Sequence, residues 1–93
     1  MSEEEILALV KEGEALLDEK HPGWRENVDI DRLNIQSPCH CVLGQIYGHY
    51  ETGKNILGLS EEEAMIRGFQ ISYSASGGDL NRTWKNQLAP AGV

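Results

Sequence analysis

The sequence predicts an all-α fold, a single small domain of four to five helices around one core. Two observations carry that prediction. Ser2 with Glu5 and Ser60 with Glu63 each form a capping box, the reciprocal side-chain and backbone pairing that opens a helix. Apolar residues then recur at helical spacing in both halves of the chain, and no stretch alternates as a convincing strand.

The first helix follows the first box. Ile6, Leu9, Val10, Gly13, Leu16 and Leu17 share one face; Glu4, Lys11, Glu12, Glu14, Asp18 and Glu19 lie opposite. Pro22 and Gly23 stop it near Lys20 or His21. Trp24 to Gln36 fits neither period, and reads as irregular with one short helical turn around Asp31 to Leu33. A second helix is expected from Ser37, with Pro38 at its first position and Cys39, Val42, Leu43, Ile46, Tyr47 and Tyr50 as its stripe. Gly48 or Gly53 would break or kink it, and Gly58 would end the helical segment that follows. The second box opens a short helix stopping at Gly68, with Phe69 closing its end. Gln70 to Gly78 reads as a loop, a last helix starts near Asp79, and 89–93 is a frayed tail. Leu9, Leu16, Trp24, Val42, Leu43, Ile46, Phe69 and Trp84 are the expected core.

Composition bounds the function. The 93 residues carry 15 acidic and 8 basic side chains, a net charge of −7. Phosphate contacts need clustered Lys and Arg, so no nucleic-acid partner is expected. The acidic start and the short apolar run Ile6–Val10 predict neither a secretory signal nor a membrane span, hence no membrane partner. Two cysteines one residue apart make no secreted disulfide framework, so the expected location is the cytoplasm.

Chemistry concentrates in Ser37–Tyr50, which holds both cysteines and two of the three histidines. Cys39, His40, Cys41 and His49 are the zinc-type donors. On a helix, residues two apart lie about 200° apart, so Cys39 and Cys41 could not share one ion. The reading is therefore no metal and no cofactor, with Cys39 a small core residue and His40 and Cys41 partly exposed. A thiolate at Cys39 would gain from the helix dipole, but no base or oxyanion site accompanies it. No catalytic residue is assigned and no enzyme is expected. Gly44 and Gly48, one turn apart, suit close approach by a backbone or an aromatic ring.

The segment Cys39-His40-Cys41-Val42-Leu43-Gly44-Gln45-Ile46-Tyr47-Gly48-His49-Tyr50 resembles a group of short proteins from actinobacteria and their bacteriophages. That group shares a pattern like Cys-x-Cys-Val-Leu-Gly-Gln-Leu-Tyr-Gly-x-Tyr. Pro22-Gly23-Trp24 before it, Leu57–Ala64 after it, Gly68-Phe69 and Trp84 extend the resemblance over roughly residues 10 to 88. It implies a small cytoplasmic protein, phage-encoded and made in the host, and carries over no activity.

The leading functional expectation is a non-enzymatic interaction protein that modulates a bacterial host protein. Binding anchors are usually aromatic or large apolar groups, with charges steering association. Tyr50, Glu61, Glu62 and Tyr73 are the expected partner-binding residues. The alternatives are a metal- or thiol-dependent sensor centred on Cys39 and Cys41, and an acidic mimic of nucleic acid. Oligomeric state is not legible in the sequence.

Overall fold

In a computed structural model, residues 2–71 and 76–89 are described. Five α-helices and one 3-10 turn make up their regular structure, and no strand occurs among them. The fold is all-α, as the two capping boxes and the helical spacing predict.

Helix α1 spans Glu3–Lys20 and carries the expected box: Ser2 caps the Glu5 N–H, and the Glu5 side chain returns to the Ser2 N–H. Three acidic residues in its first turn complement the helix dipole. Gly23, at φ 84°, then turns the chain into a 3-10 turn, Trp24–Asn27. The sequence reading puts the turn of this segment at Asp31 to Leu33. The hydrogen-bonded turn Ile30–Leu33 exists, but the regular element lies earlier, where Trp24 is pulled into the core.

The second helix is shorter than expected and splits in two. Helix α2 spans Val42–Tyr47 and α3 spans Tyr50–Ile56, separated by Gly48 at φ 94°. Glycine takes this left-handed conformation without steric cost, and it ends α2 there. Helix α4, Glu61–Ile66, repeats the capping box with Ser60 and Glu63. Helix α5, Gly77–Leu88, begins at the Ser76 cap, two residues before the expected start.

Helix α1 packs on α5 and α4, while α2 packs on α3 and the 3-10 turn. The core is aromatic at its centre. Trp84 stacks on Phe69 at 5.8 Å and meets Trp24 edge-on at 6.2 Å. Both indoles are fully buried and both N–H groups are satisfied: Trp24 donates to Asp18 at 2.9 Å and Trp84 to the Gly68 carbonyl at 2.7 Å. Gly13 lets α1 touch this cluster, because a β-carbon there would lie 2.2 Å from the Arg67 carbonyl oxygen.

Two expectations about burial need correction. Leu9 and Ile46 are only partly buried and pack on the edge of the core. Glu14, placed by helical periodicity on the solvent face, is buried. It accepts from Gln87 of α5 at 3.3 Å and lies 3.7 Å from Arg25, so its carboxylate is partnered inside the structure.

Candidate functional site

The Cys-x-Cys segment is the first place to look for chemistry, and its local structure differs from a helix begun at Ser37. The N–H groups of His40 and Cys41 both donate to the Ser37 carbonyl, closing a turn. In a continuous helix the Pro38 carbonyl would accept from Val42. Here it accepts from the Tyr50 N–H at 2.8 Å, at the start of α3. The Ser37 hydroxyl pairs with His40 Nδ1 at 3.0 Å and caps nothing. Cys41 is the N-cap of α2 instead: its Sγ accepts from the Gly44 N–H at 3.2 Å.

This reverses the two thiols. Cys41 is 1% exposed and Cys39 is exposed. Burial pushes the Cys41 thiol above its ordinary pKa, and the Gly44 N–H offsets only part of that rise. Low-pKa reactivity at this helix start is therefore suppressed at the cysteine that occupies it.

The rest of the motif serves the same fold-back. A β-carbon on Gly44 would lie 2.3 Å from the Pro38 carbonyl oxygen, so only glycine lets residues 38 and 39 cross the start of α2. Gln45 ties α2 to the irregular segment: its Oε1 accepts from the Asp29 N–H at 2.6 Å, and its Nε2 donates to the Asp29 and His40 carbonyls. His49 caps α3 by accepting from the Glu51 N–H at Nδ1. Cys41, Gly44, Gln45, Gly48 and His49 are thus each accounted for by local folding. Of the two glycines, Gly44 meets a close backbone as expected; Gly48 has open space around it and sets the chain reversal. Among the described residues no group of three His, Cys, Asp or Glu side chains is placed to hold a metal ion.

The expected partner-binding residues divide. Tyr50 is 7% exposed, with its hydroxyl 3.3 Å from Glu61, so its ring is not offered to a partner. Burial, and then the Glu61 charge, push its hydroxyl pKa up to about 12. Glu61 also pairs with Lys54 at 2.8 Å, which holds its carboxyl below the ordinary range. It locks α4 to α3. Tyr73 lies outside the described residues.

Glu62 is different. It is exposed and makes no hydrogen bond or ion pair among the described residues. Ile66 lies four residues on, on the same face of α4, and is 58% exposed. Helix α4 holds to the core through Ala64 alone as a fully buried residue. Ile56, at the end of α3, is 63% exposed and is the second large apolar side chain left in water among the described residues. Sequence periodicity did not mark these two isoleucines, because each occupies the last turn of a short helix, where the stripe has too few repeats to define a face.

A shallow groove of about 230 Å³ lies between α1 and α5, bordered by Glu3, Leu7, Arg82 and Asn86. Arg82 is paired with Asp79 at 2.7 Å, so its charge is already engaged. No helix among the described residues is long and apolar enough to cross a membrane. No protein-family model, characterised protein or solved structure matches this chain.

Proposed function

We propose that the protein acts by binding another protein through the outer face of α4, with Ile66 as an anchor and Glu62 beside it. The observation that supports this reading is that these two residues, one helical turn apart, are both exposed, and that Glu62 makes no hydrogen bond or ion pair among the described residues. An isoleucine removed from water contributes about 1.5–3 kcal/mol, whereas an exposed charge mainly steers encounter. Ile66 therefore supplies affinity and Glu62 selects a basic counterpart. The net charge of −7 adds long-range attraction for such a surface. The resemblance of the Cys39–Tyr50 segment to short actinobacterial and phage proteins supports a host bacterial protein as the partner and the host cytoplasm as the place of action. The reading is non-enzymatic and uses neither metal nor cofactor.

Quantitative affinity capture from an actinobacterial lysate tests the surface. Ile66→Lys should reduce the captured partner at least tenfold, since each 1.4 kcal/mol is about tenfold in affinity. Its melting temperature should not change, because substitutions at exposed sites away from special features usually fall within about 0.5 kcal/mol. Glu62→Gln should give a smaller loss that fades at high salt. Glu4→Gln with Glu19→Gln, on the solvent face of α1, should leave capture intact. Loss in the α1 variant with retention in Ile66→Lys would move the interface to α1.

A further inference from the structure

We propose that His49 is an acid-sensitive latch on α3: its neutral ring caps the helix, and protonation of that ring releases the first turn. His49 Nδ1 accepts from the Glu51 N–H at 3.1 Å. A backbone N–H can only donate, so Nδ1 must hold a free lone pair and the ring proton must sit on Nε2. That is the neutral imidazole. A protonated ring donates from both nitrogens and would set one N–H against another. Its positive charge would also stand at the positive end of the helix dipole. The side chain is exposed, so a proton reaches it from water without any opening of the fold.

The other two histidines lack this constraint. His40 Nδ1 lies 3.0 Å from the Ser37 hydroxyl, which can donate to a neutral ring and accept from a protonated one. His21 follows the last residue of α1, where a cation suits the helix dipole, and its ring meets Tyr47 edge-on at 5.5 Å. The remaining charges around α3 are already engaged. Glu51 pairs with Lys54 at 3.2 Å, and Glu61 of α4, held by Lys54 below the ordinary carboxylate range, keeps its charge in mild acid. On the α2 side, burial pushes the Cys41 thiol and the Tyr47 hydroxyl up, so both stay neutral in acid. Histidine is the side chain whose charge changes between about pH 8 and 5, and His49 is the one whose change breaks a bond. The turn it holds begins with Tyr50. That residue's N–H reaches the Pro38 carbonyl at 2.8 Å and its hydroxyl lies 3.3 Å from Glu61. Releasing the turn therefore loosens α3 from the 38–41 turn and from α4.

Nitrogen-15 NMR of the full chain tests the latch directly. In neutral solution the His49 ring should carry its proton on Nε2, and on acidification the Glu51 amide resonance should move together with the His49 ring. Thermal unfolding near pH 7.5 and pH 5 supplies the second readout. His49→Asn replaces the ring with a preferred cap whose oxygen accepts at either pH. On acidification the parent should lose about 4–8 °C more of its melting temperature than this variant, the shift expected for one cap in a domain this size. His40→Asn should keep the parental acid loss. The proposal is overturned if His49 carries its proton on Nδ1 in neutral solution, because Nδ1 is then no acceptor. It is equally overturned if His49→Asn loses as much in acid as the parent, or if the acid loss disappears in His40→Asn instead.

Discussion

Cys41 shows how one atom decides a local fold. A thiol is a weak acceptor, yet its Sγ caps the first turn of α2, and its small size fits a fully covered site. Cys41→Ser should keep the cap and stay within about 1 kcal/mol of the parent, because serine is among the preferred N-cap residues. Cys41→Ala should cost about 0.5–2 kcal/mol, because it leaves the Gly44 N–H without its acceptor. Urea denaturation measures both; equal losses in the two variants would mean that Cys41 matters through packing and not through its cap. Tyr50 makes a pH prediction. Its hydroxyl pKa is raised to about 12 in the fold, against about 10 for an unfolded tyrosine. Its contribution is thus fully present below pH ~10 and is lost as pH rises toward ~12, because the folded state holds the proton that the unfolded state releases. Tyr50→Phe should flatten stability over that window, as followed by denaturant midpoints at several alkaline pH values. An unchanged slope would show that the hydroxyl is not the titrating group.

At the scale of elements, the residues that reveal a helix are those whose partners are near in sequence. Both capping boxes close within three residues, so Ser2, Glu5, Ser60 and Glu63 were readable directly. Gly58 was readable as a stop for the same reason, since a left-handed backbone is a local demand; the break before α3 was readable only as Gly48 or Gly53, and Gly53 lies inside α3. The start of α2 was not. Ser37-Pro38 carries a local helix signal, but the Pro38 carbonyl is taken by Tyr50, twelve residues away, and the tertiary bond overrides it. Glu14 was misplaced because its partners, Arg25 and Gln87, come from other elements. Gly48 gives the matching prediction. Gly48→Ala forces a side chain into φ 94° and should cost about 1–2 kcal/mol although nothing lies within 4 Å of the added carbon. Thermal unfolding measures it. A neutral result would mean that the α2–α3 break adopts an ordinary backbone.

Across the whole molecule, the aromatic trio of Trp24, Phe69 and Trp84 was legible as core from residue type alone. The proposed interaction surface was only half legible. Glu61 and Glu62 look equivalent in sequence, yet Glu61 is tied to Lys54 and Tyr50 while Glu62 faces outward. Tyr50 looked like an anchor and is interior; Ile66, which no sequence pattern marked, is exposed. Which way a short helix turns its last residue depends on what the rest of the chain covers, and no local pattern encodes that. The conspicuous Cys39–Tyr50 segment thus folds the chain, and the less conspicuous α4 face is the surface proposed to act. Parallel capture from one lysate with Ile66→Lys and Cys41→Ser, each confirmed folded by circular dichroism, separates the two roles most directly. The account predicts that Cys41→Ser retains the partner at the parental level while Ile66→Lys loses it at least tenfold. Retention by Ile66→Lys together with loss by a folded Cys41→Ser would contradict it and return the function to the cysteine motif.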